Sequence, residues 1–152
     1  MSINRKKGQS SIEYLSIVGI ALLMLVPATI LFTNYTRSTN DEIVANQYNV
    51  VGNTILEKAE EMYVLGEDSW VTIEVMIPES LLNATLEDNG RELVLIHTST
   101  SDTSSTVFFT TRFYLNNGTA TCGSNCALYF NPGLNRIRIQ MKSGEVEIKR
   151  VN

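Results

Sequence analysis

The stretch Lys6–Phe32, KKGQSSIEYLSIVGIALLMLVPATILF, decides how the rest of the chain is read. Two basic residues and a glycine lead into a short polar run holding one carboxylate, Glu13, and no charged residue follows from Tyr14 to Thr36. At about 1.5 Å per residue, a helix over those positions is long enough to cross a hydrocarbon core of roughly 30 Å. The charges ahead of it, Arg5, Lys6 and Lys7, are all positive, which predicts a cytoplasmic N-terminus and an outward-facing remainder.

Three processing routes compete for this stretch. A secretory signal peptide would end at a small-residue cleavage site, yet Pro27-Ala28 is followed by Thr29-Ile30-Leu31-Phe32, and the apolar run is too long. A plain single-pass anchor leaves Glu13 without a purpose, because an unpaired carboxylate at the edge of an apolar helix is costly. The third route is a cut on the cytoplasmic side, ahead of the apolar run, which keeps the whole helix in the mature protein. The residues favour this third route. Lys6-Lys7-Gly8-Gln9-Ser10-Ser11-Ile12-Glu13 resembles the prepilin-type leader of archaeal type IV pilins, the class III signal peptide. The resemblance implies cleavage by a prepilin peptidase at Lys7-Gly8-Gln9, after Gly8, so that the mature chain begins with Gln9. It also matches Ser11 and Glu13 to the third and fifth mature residues of that pattern, and departs from it at Ile17, where the family has leucine.

On that assignment Gln9, Ser11 and Glu13 become assembly residues. Cleavage frees an amine on Gln9, four residues before the Glu13 carboxylate. An acid near a helix N-terminus is favoured by the helix dipole. When helices leave lipid and pack together, the acid can pair with a neighbour's amine, and a buried charge missing its partner costs several kcal/mol. Glu13 would then reward correct docking and penalise slips in register.

The 152 residues carry a formal net charge of −4, with 43% hydrophobic content. Removing residues 1–8 takes away three of the 12 basic residues and no acid, leaving nine against 16, a net of −7. An acidic exterior gives no footing for nucleic acid. Beyond the apolar helix the chain is long enough for one small domain but not two.

Within the apolar helix Pro27 should remove one backbone hydrogen bond and bend the helix there, and Gly19 would let a neighbouring helix approach closely. After Phe32 comes a polar patch in which Thr39 and Glu42 have capping-box spacing, predicting a pause or bend near residues 37–40 and a helix restart. Val44, Tyr48, Val51, Ile55, Ala59 and Met62 then recur at three- and four-residue spacing as one apolar stripe, with Asn46, Asn49, Asn53, Glu57, Glu60 and Glu61 largely opposite. Gly66 supplies the stop.

From Trp70 the period shortens to two. Val71, Ile73, Val75 and Ile77 form one face of a strand ended by Pro78. Segments 84–87 and 91–98 flank Asn89-Gly90, a tight-hairpin signal. Thr98–Ser105 reads as an exposed loop. Val107, Phe109, Thr111, Phe113 and Leu115 read as one face of a single strand, and Leu128–Phe130 as a short apolar one. Ile137, Ile139 and Met141 pair across Lys142-Ser143-Gly144 with Val146 and Ile148. About six strands with hairpin-length connections imply an antiparallel sheet or sandwich that the helical stripe can cover.

Cys122 and Cys126 are the only cysteines, spaced C-G-S-N-C. Outside the cell the expectation is a disulfide. A metal site is the alternative, but two thiols and one histidine, His97, make a poor ligand set. The sequons at Asn34, Asn83 and Asn117 are N-glycosylation candidates by motif, though about two to three are expected by chance at this composition. His97 ends an apolar run and reads as a packed or edge residue. No nucleophile elbow, phosphate loop or zinc signature appears, so no enzyme, cofactor or metal is expected.

The expected fold class is α+β: a long N-terminal helix, apolar half then amphipathic half, packed on a C-terminal antiparallel β-sheet or sandwich. The divisions are a leader at 1–8, an apolar transmembrane or filament-core helix at 9–36, an amphipathic extension at 37–66 and an extracellular β domain at 67–152. The resemblance implies a type IV pilin-like protein that enters the membrane and then polymerises into a surface filament. Its implied partners are further copies of the chain, a prepilin peptidase, and an assembly ATPase with its membrane platform. Surface adhesion is the implied use. A minor or tip pilin-like protein, and a monomeric membrane-anchored binding domain, remain as alternatives.

Overall fold

A single α-helix, α1, runs through Arg5–Leu65. It opens a computed structural model that describes residues 5–99, 102–119 and 125–151, with side chains from residue 12 onward. The chain divides into two compact units, Met1–Thr39 and Asn40–Asn152.

In the first unit the helix runs on through Pro27. A Cβ placed on Gly19 would meet nothing within 4 Å. The start signal at Thr39 and Glu42 is not used, because α1 is unbroken there. The Thr39 hydroxyl instead donates to the Tyr35 carbonyl at 3.0 Å, one turn back. That bond satisfies the hydroxyl within the helix, so no new N-terminus is needed.

In the second unit α1 presents the expected stripe. Tyr48, Val51, Ile55, Ala59 and Met62 are buried, Val44 is half-buried, and the six opposing Asn and Glu residues are exposed. Gly66, at φ 90°, ends the helix and donates its N–H to the Met62 carbonyl at 3.1 Å. The Ser69 hydroxyl donates to the Met62 and Gly66 carbonyls, at 2.9 and 2.7 Å, and so holds the exit from the helix.

Among the described residues eight strands follow: β1 (Trp70–Ile77), β2 (Leu81–Glu87), β3 (Glu92–Thr98), β4 (Ser104–Thr110), β5 (Leu115–Asn116), β6 (Cys126–Ala127), β7 (Gly133–Lys142) and β8 (Glu145–Val151). They form two four-stranded sheets, ordered β1-β7-β8-β5 and β4-β3-β2-β6. The fold is therefore α+β with an antiparallel-rich two-sheet domain. Among the described residues one pairing departs from the antiparallel pattern, the short parallel contact of Leu115–Asn116 with Val146–Glu147. Both sheets and the helical stripe share one core, where Ile137, Ile139 and Ile148 from the first sheet and Leu86, Leu93 and Leu95 from the second are almost fully buried.

Three further details, all in the two-sheet domain, differ from the sequence reading. The stretch Val107–Leu115 is not one strand, since β4 and β5 lie in different sheets. Thr111 breaks it: its N–H donates to the Arg91 carbonyl at 2.8 Å, and its hydroxyl donates to the Phe113 carbonyl at 2.6 Å. Alternation nevertheless survives the break, so Phe109, Phe113 and Leu115 all reach the core. Secondly, Leu128–Phe130 is not a strand; the paired residues are Cys126–Ala127, and Leu128 adds only a bond from its N–H to the Ala84 carbonyl at 2.8 Å. Thirdly, the Asn89-Gly90 hairpin closes through four residues, with a 3-10 turn at Asp88–Gly90 between the Glu87–Glu92 pair.

The β7–β8 hairpin uses a two-residue turn with φ 56° at Ser143 and 81° at Gly144, the geometry that suits the twist of paired strands. Glu67, just past the helix, accepts the N–H groups of Ser143 and Gly144 at 3.0 and 2.7 Å. This carboxylate ties the closing hairpin to the helix exit.

Candidate functional site

The apolar half of α1 is where sequence and structure concentrate an unmet requirement. Fifteen large apolar side chains between Ile12 and Tyr35 are exposed, from 38% at Val18 to 75% at Leu23. Keeping one such side chain out of water is worth about 1.5–3 kcal/mol, so fifteen amount to some tens of kcal/mol. A whole domain is stable by only about 5–15 kcal/mol. This surface therefore needs lipid or protein around it. By length and composition the helix suffices to cross a membrane.

Its polar groups are arranged for such a setting. Thr29 donates to the Leu25 and Val26 carbonyls, Thr33 to Ile30 and Thr36 to Phe32, at 2.8–3.1 Å. Each hydroxyl is satisfied on the helix's own backbone, which spares it an unpaired state in hydrocarbon. Glu13 is the one carboxylate of the described side chains in this half, and it is exposed. Lys7, Gly8 and Gln9 lie in the opening turns of α1 as backbone. Their side chains and that of Ser11 lie outside the described residues.

The remaining candidates fall elsewhere. Asn34 is exposed on the helix, and Asn83 is exposed on β2 beside a register shift in its pairing with β3. Asn117 is half-buried: its amide donates to the Ala127 carbonyl at 3.0 Å, and its oxygen accepts from the Thr119 N–H at 3.0 Å and from the Thr119 hydroxyl. These bonds bring Asn117 next to the Cys126 segment. Cys126 is buried and disulfide-bonded, and Cys122 lies outside the described residues. Among the described residues no three His, Cys, Asp or Glu side chains are placed to hold a metal ion.

His97 is buried and stacks on Tyr48 with ring centroids 4.5 Å apart. Among the described residues its Nε2 has no hydrogen-bond partner. Tyr48 in turn shares a hydrogen bond with the Ser80 hydroxyl at 3.1 Å, and burial holds its phenol above the ordinary range. Sequence reasoning placed Tyr48 in the stripe but missed Ser80. The signal was available: a tyrosine at the centre of an apolar stripe needs a partner for its hydroxyl.

Glu147, like Asn135, is a buried polar residue that local sequence did not flag. Burial would raise its pKa, but hydrogen bonds from Lys149 and Gln140, the latter at 2.7 Å, and the charges of Lys149 and Lys142 outweigh it and hold the carboxyl below its usual range. A lowered folded-state pKa contributes stability that is present above the unfolded carboxylate range and lost as pH falls through the folded value. Glu147→Gln is expected to lower stability at pH 7 by about 1–2 kcal/mol and to flatten the decline below roughly pH 4. Denaturant midpoints of both proteins at pH 7 and pH 3 check this, and parallel declines would remove Glu147 from the account.

Compared with protein-family models, characterised proteins and solved structures, the chain matches none of them.

Proposed function

We propose that this chain is a structural subunit of an archaeal type IV-like pilus. It is held in the cytoplasmic membrane by its apolar helix and polymerises through that helix after a prepilin peptidase removes residues 1–8. The observation that carries the reading is the exposed apolar half of α1, bounded by Glu13 and preceded by Lys7-Gly8-Gln9. A tether needs only the apolar length. A polymerising helix also needs a register device, and Glu13 with the amine freed on Gln9 would supply one. The assembly ATPase and its membrane platform would move the helix from lipid into a protein core of similar polarity. The two-sheet domain would form the outer wall and serve surface adhesion.

N-terminal sequencing of protein sheared from producing cells tests this. The expected result is a start at Gln9 in a sedimentable fraction. An intact leader found only in the membrane fraction would leave a tethered domain and overturn the proposal. Processed protein present in a few copies per filament would instead make it a minor or tip subunit.

A further inference from the structure

The sequons at Asn34, Asn83 and Asn117 are no more than composition predicts, so only their placement can choose among them. Asn34 stands on the apolar half of α1, where the surface needs lipid or protein against it. Asn117 is half-buried, and its amide nitrogen lies 3.0 Å from the Ala127 carbonyl, so a sugar on that nitrogen would press on β6. Asn83 differs from both. It is exposed on β2, and the Thr85 that completes its sequon lies on the same face of the strand.

That face is the outer one of the second sheet, since Ala84 and Leu86 point into the core. Cross-strand register sets two rows on it: Thr106, Ile96 and Asn83, and beside them Phe108, Val94 and Thr85. None of these side chains is charged, and Phe108 stands 61% exposed. The carboxylates Glu87 and Glu92 begin only at the next row. Phe108 belongs to β4, one of the four described strands that end a sheet, and the β4 sequence SSTVFFT has neither charge nor proline to guard its edge. Two strand spacings and one two-residue step separate Asn83 from Phe108, about 12 Å. An asparagine side chain and its first sugars cover that span.

We propose that Asn83 is N-glycosylated and that its glycan lies across Ile96 and Val94 onto Phe108, covering the outer face of this sheet. The donor is a lipid-linked oligosaccharide, used by a membrane oligosaccharyltransferase. The Asn83 amide nitrogen bonds to the sugar's anomeric carbon, and the bond from that carbon to the lipid phosphate oxygen breaks. A base of the transferase takes one amide proton, and the lipid phosphate leaves. A sugar ring has a face of C–H groups and a rim of hydroxyls, so it covers apolar side chains while presenting polar groups to water. It also keeps other chains from the edge of β4. The inference rests on the pilus reading only in that the two-sheet domain must face outward.

Tryptic mapping by mass spectrometry of the full chain from producing cells tests it, because the three sequons fall on separate peptides, ending at Arg37, Arg91 and Arg136. The expected result is a sugar mass on the peptide ending at Arg91 and none on the one ending at Arg136. An unmodified Asn83 would overturn the inference, as would sugar on Asn117 in its place. Coverage is read separately by maleimide labelling of Phe108→Cys, expected to be several-fold slower with Asn83 intact than with Asn83→Gln. Both positions are exposed, so neither change touches the core. Thr85→Ala should label as fast as Asn83→Gln and Thr85→Ser as slowly as the intact sequon, because the motif needs a hydroxyl there. Equal rates in all of these backgrounds would overturn the coverage. Sedimentable filaments starting at Gln9 with Asn83 unmodified would overturn the glycan and leave the pilus reading standing. A glycan on Asn83 of membrane-bound protein with its leader intact would keep the glycan and sink the pilus reading.

Discussion

Glu13→Ala is expected to abolish sedimentable filaments while leaving the leader cleaved and the protein in the membrane. The proposed cleavage residues Lys7, Gly8 and Gln9 are untouched, and the helix loses a charge, so its residence in lipid becomes easier. On the proposed pilus reading, what disappears is the partner for the amine that cleavage would free on Gln9. Breaking a buried ion pair from one side costs about 3–5 kcal/mol, because the remaining charge stays buried and uncompensated. At 1.4 kcal/mol per factor of ten, the penalty per contact exceeds about a hundredfold, and a filament repeats it at every subunit. Glu13→Gln should fall between, since the amide can accept a hydrogen bond but brings no charge. N-terminal sequencing of membrane and sheared fractions separates the two steps. Filaments at ordinary abundance from Glu13→Ala would show that apolar packing alone sets the register.

The sequence was most legible where one periodicity held over many residues. The charge-free run Tyr14–Thr36 and the stripe from Val44 to Met62 each follow from helical spacing, and the structure places both on α1. Period-two alternation likewise found the inward faces of β1, β7 and β8. What it could not give was sheet membership. Phe109 and Leu115 keep the same alternation, yet a turn at Thr111 sends them to different sheets, and that turn depends on the carbonyl of Arg91, twenty residues away. Thr39 fails for the opposite reason. A capping box and a back-bonded threonine share a sequence, and only an intact preceding turn decides between them. Gly52 gave no local signal either. It is a helix-interior glycine, where alanine is ordinarily better by about 1 kcal/mol, but a Cβ there would lie 2.2 Å from the Phe109 ring. Tertiary contact of that kind is invisible to spacing. In the candidate site, the sequence located the apolar surface, because hydropathy is local. An apolar groove beside β1, with Val50 of α1 on one wall and Met76 on the other, was not legible, since its walls come from residues twenty or more positions apart.

Gly90→Ala should be among the most damaging single substitutions in the two-sheet domain. Gly90 is buried at φ 84°, in the left-handed region where a side chain costs about 1–2 kcal/mol. A Cβ there would also stand 2.2 Å from the Leu115 carbonyl oxygen and 3.2 Å from its carbon and nitrogen. Those are backbone atoms of β5, which is itself hydrogen-bonded to β8, so they cannot swing aside as the tip of a flexible side chain could. The clash therefore pushes the turn between β2 and β3, in one sheet, against β5 in the other. A total of about 3 kcal/mol or more is expected, against a stability of about 5–15 kcal/mol for a domain. Gly144 is the control. It has φ 81° in the β7–β8 turn, and a Cβ there would meet nothing within 4 Å, so Gly144→Ala carries only the backbone part of the cost. Denaturant unfolding of the full chain in detergent, followed by tryptophan fluorescence, compares the two; Trp70, the single tryptophan, opens β1 and reports on the domain. The expected order is wild type, then Gly144→Ala, then Gly90→Ala, with the second gap the contribution of the Leu115 contact. Equal midpoints for the two variants would mean that the Asp88–Gly90 turn can withdraw from β5 without loss, and that the contact between the sheets at this point is not what holds them together.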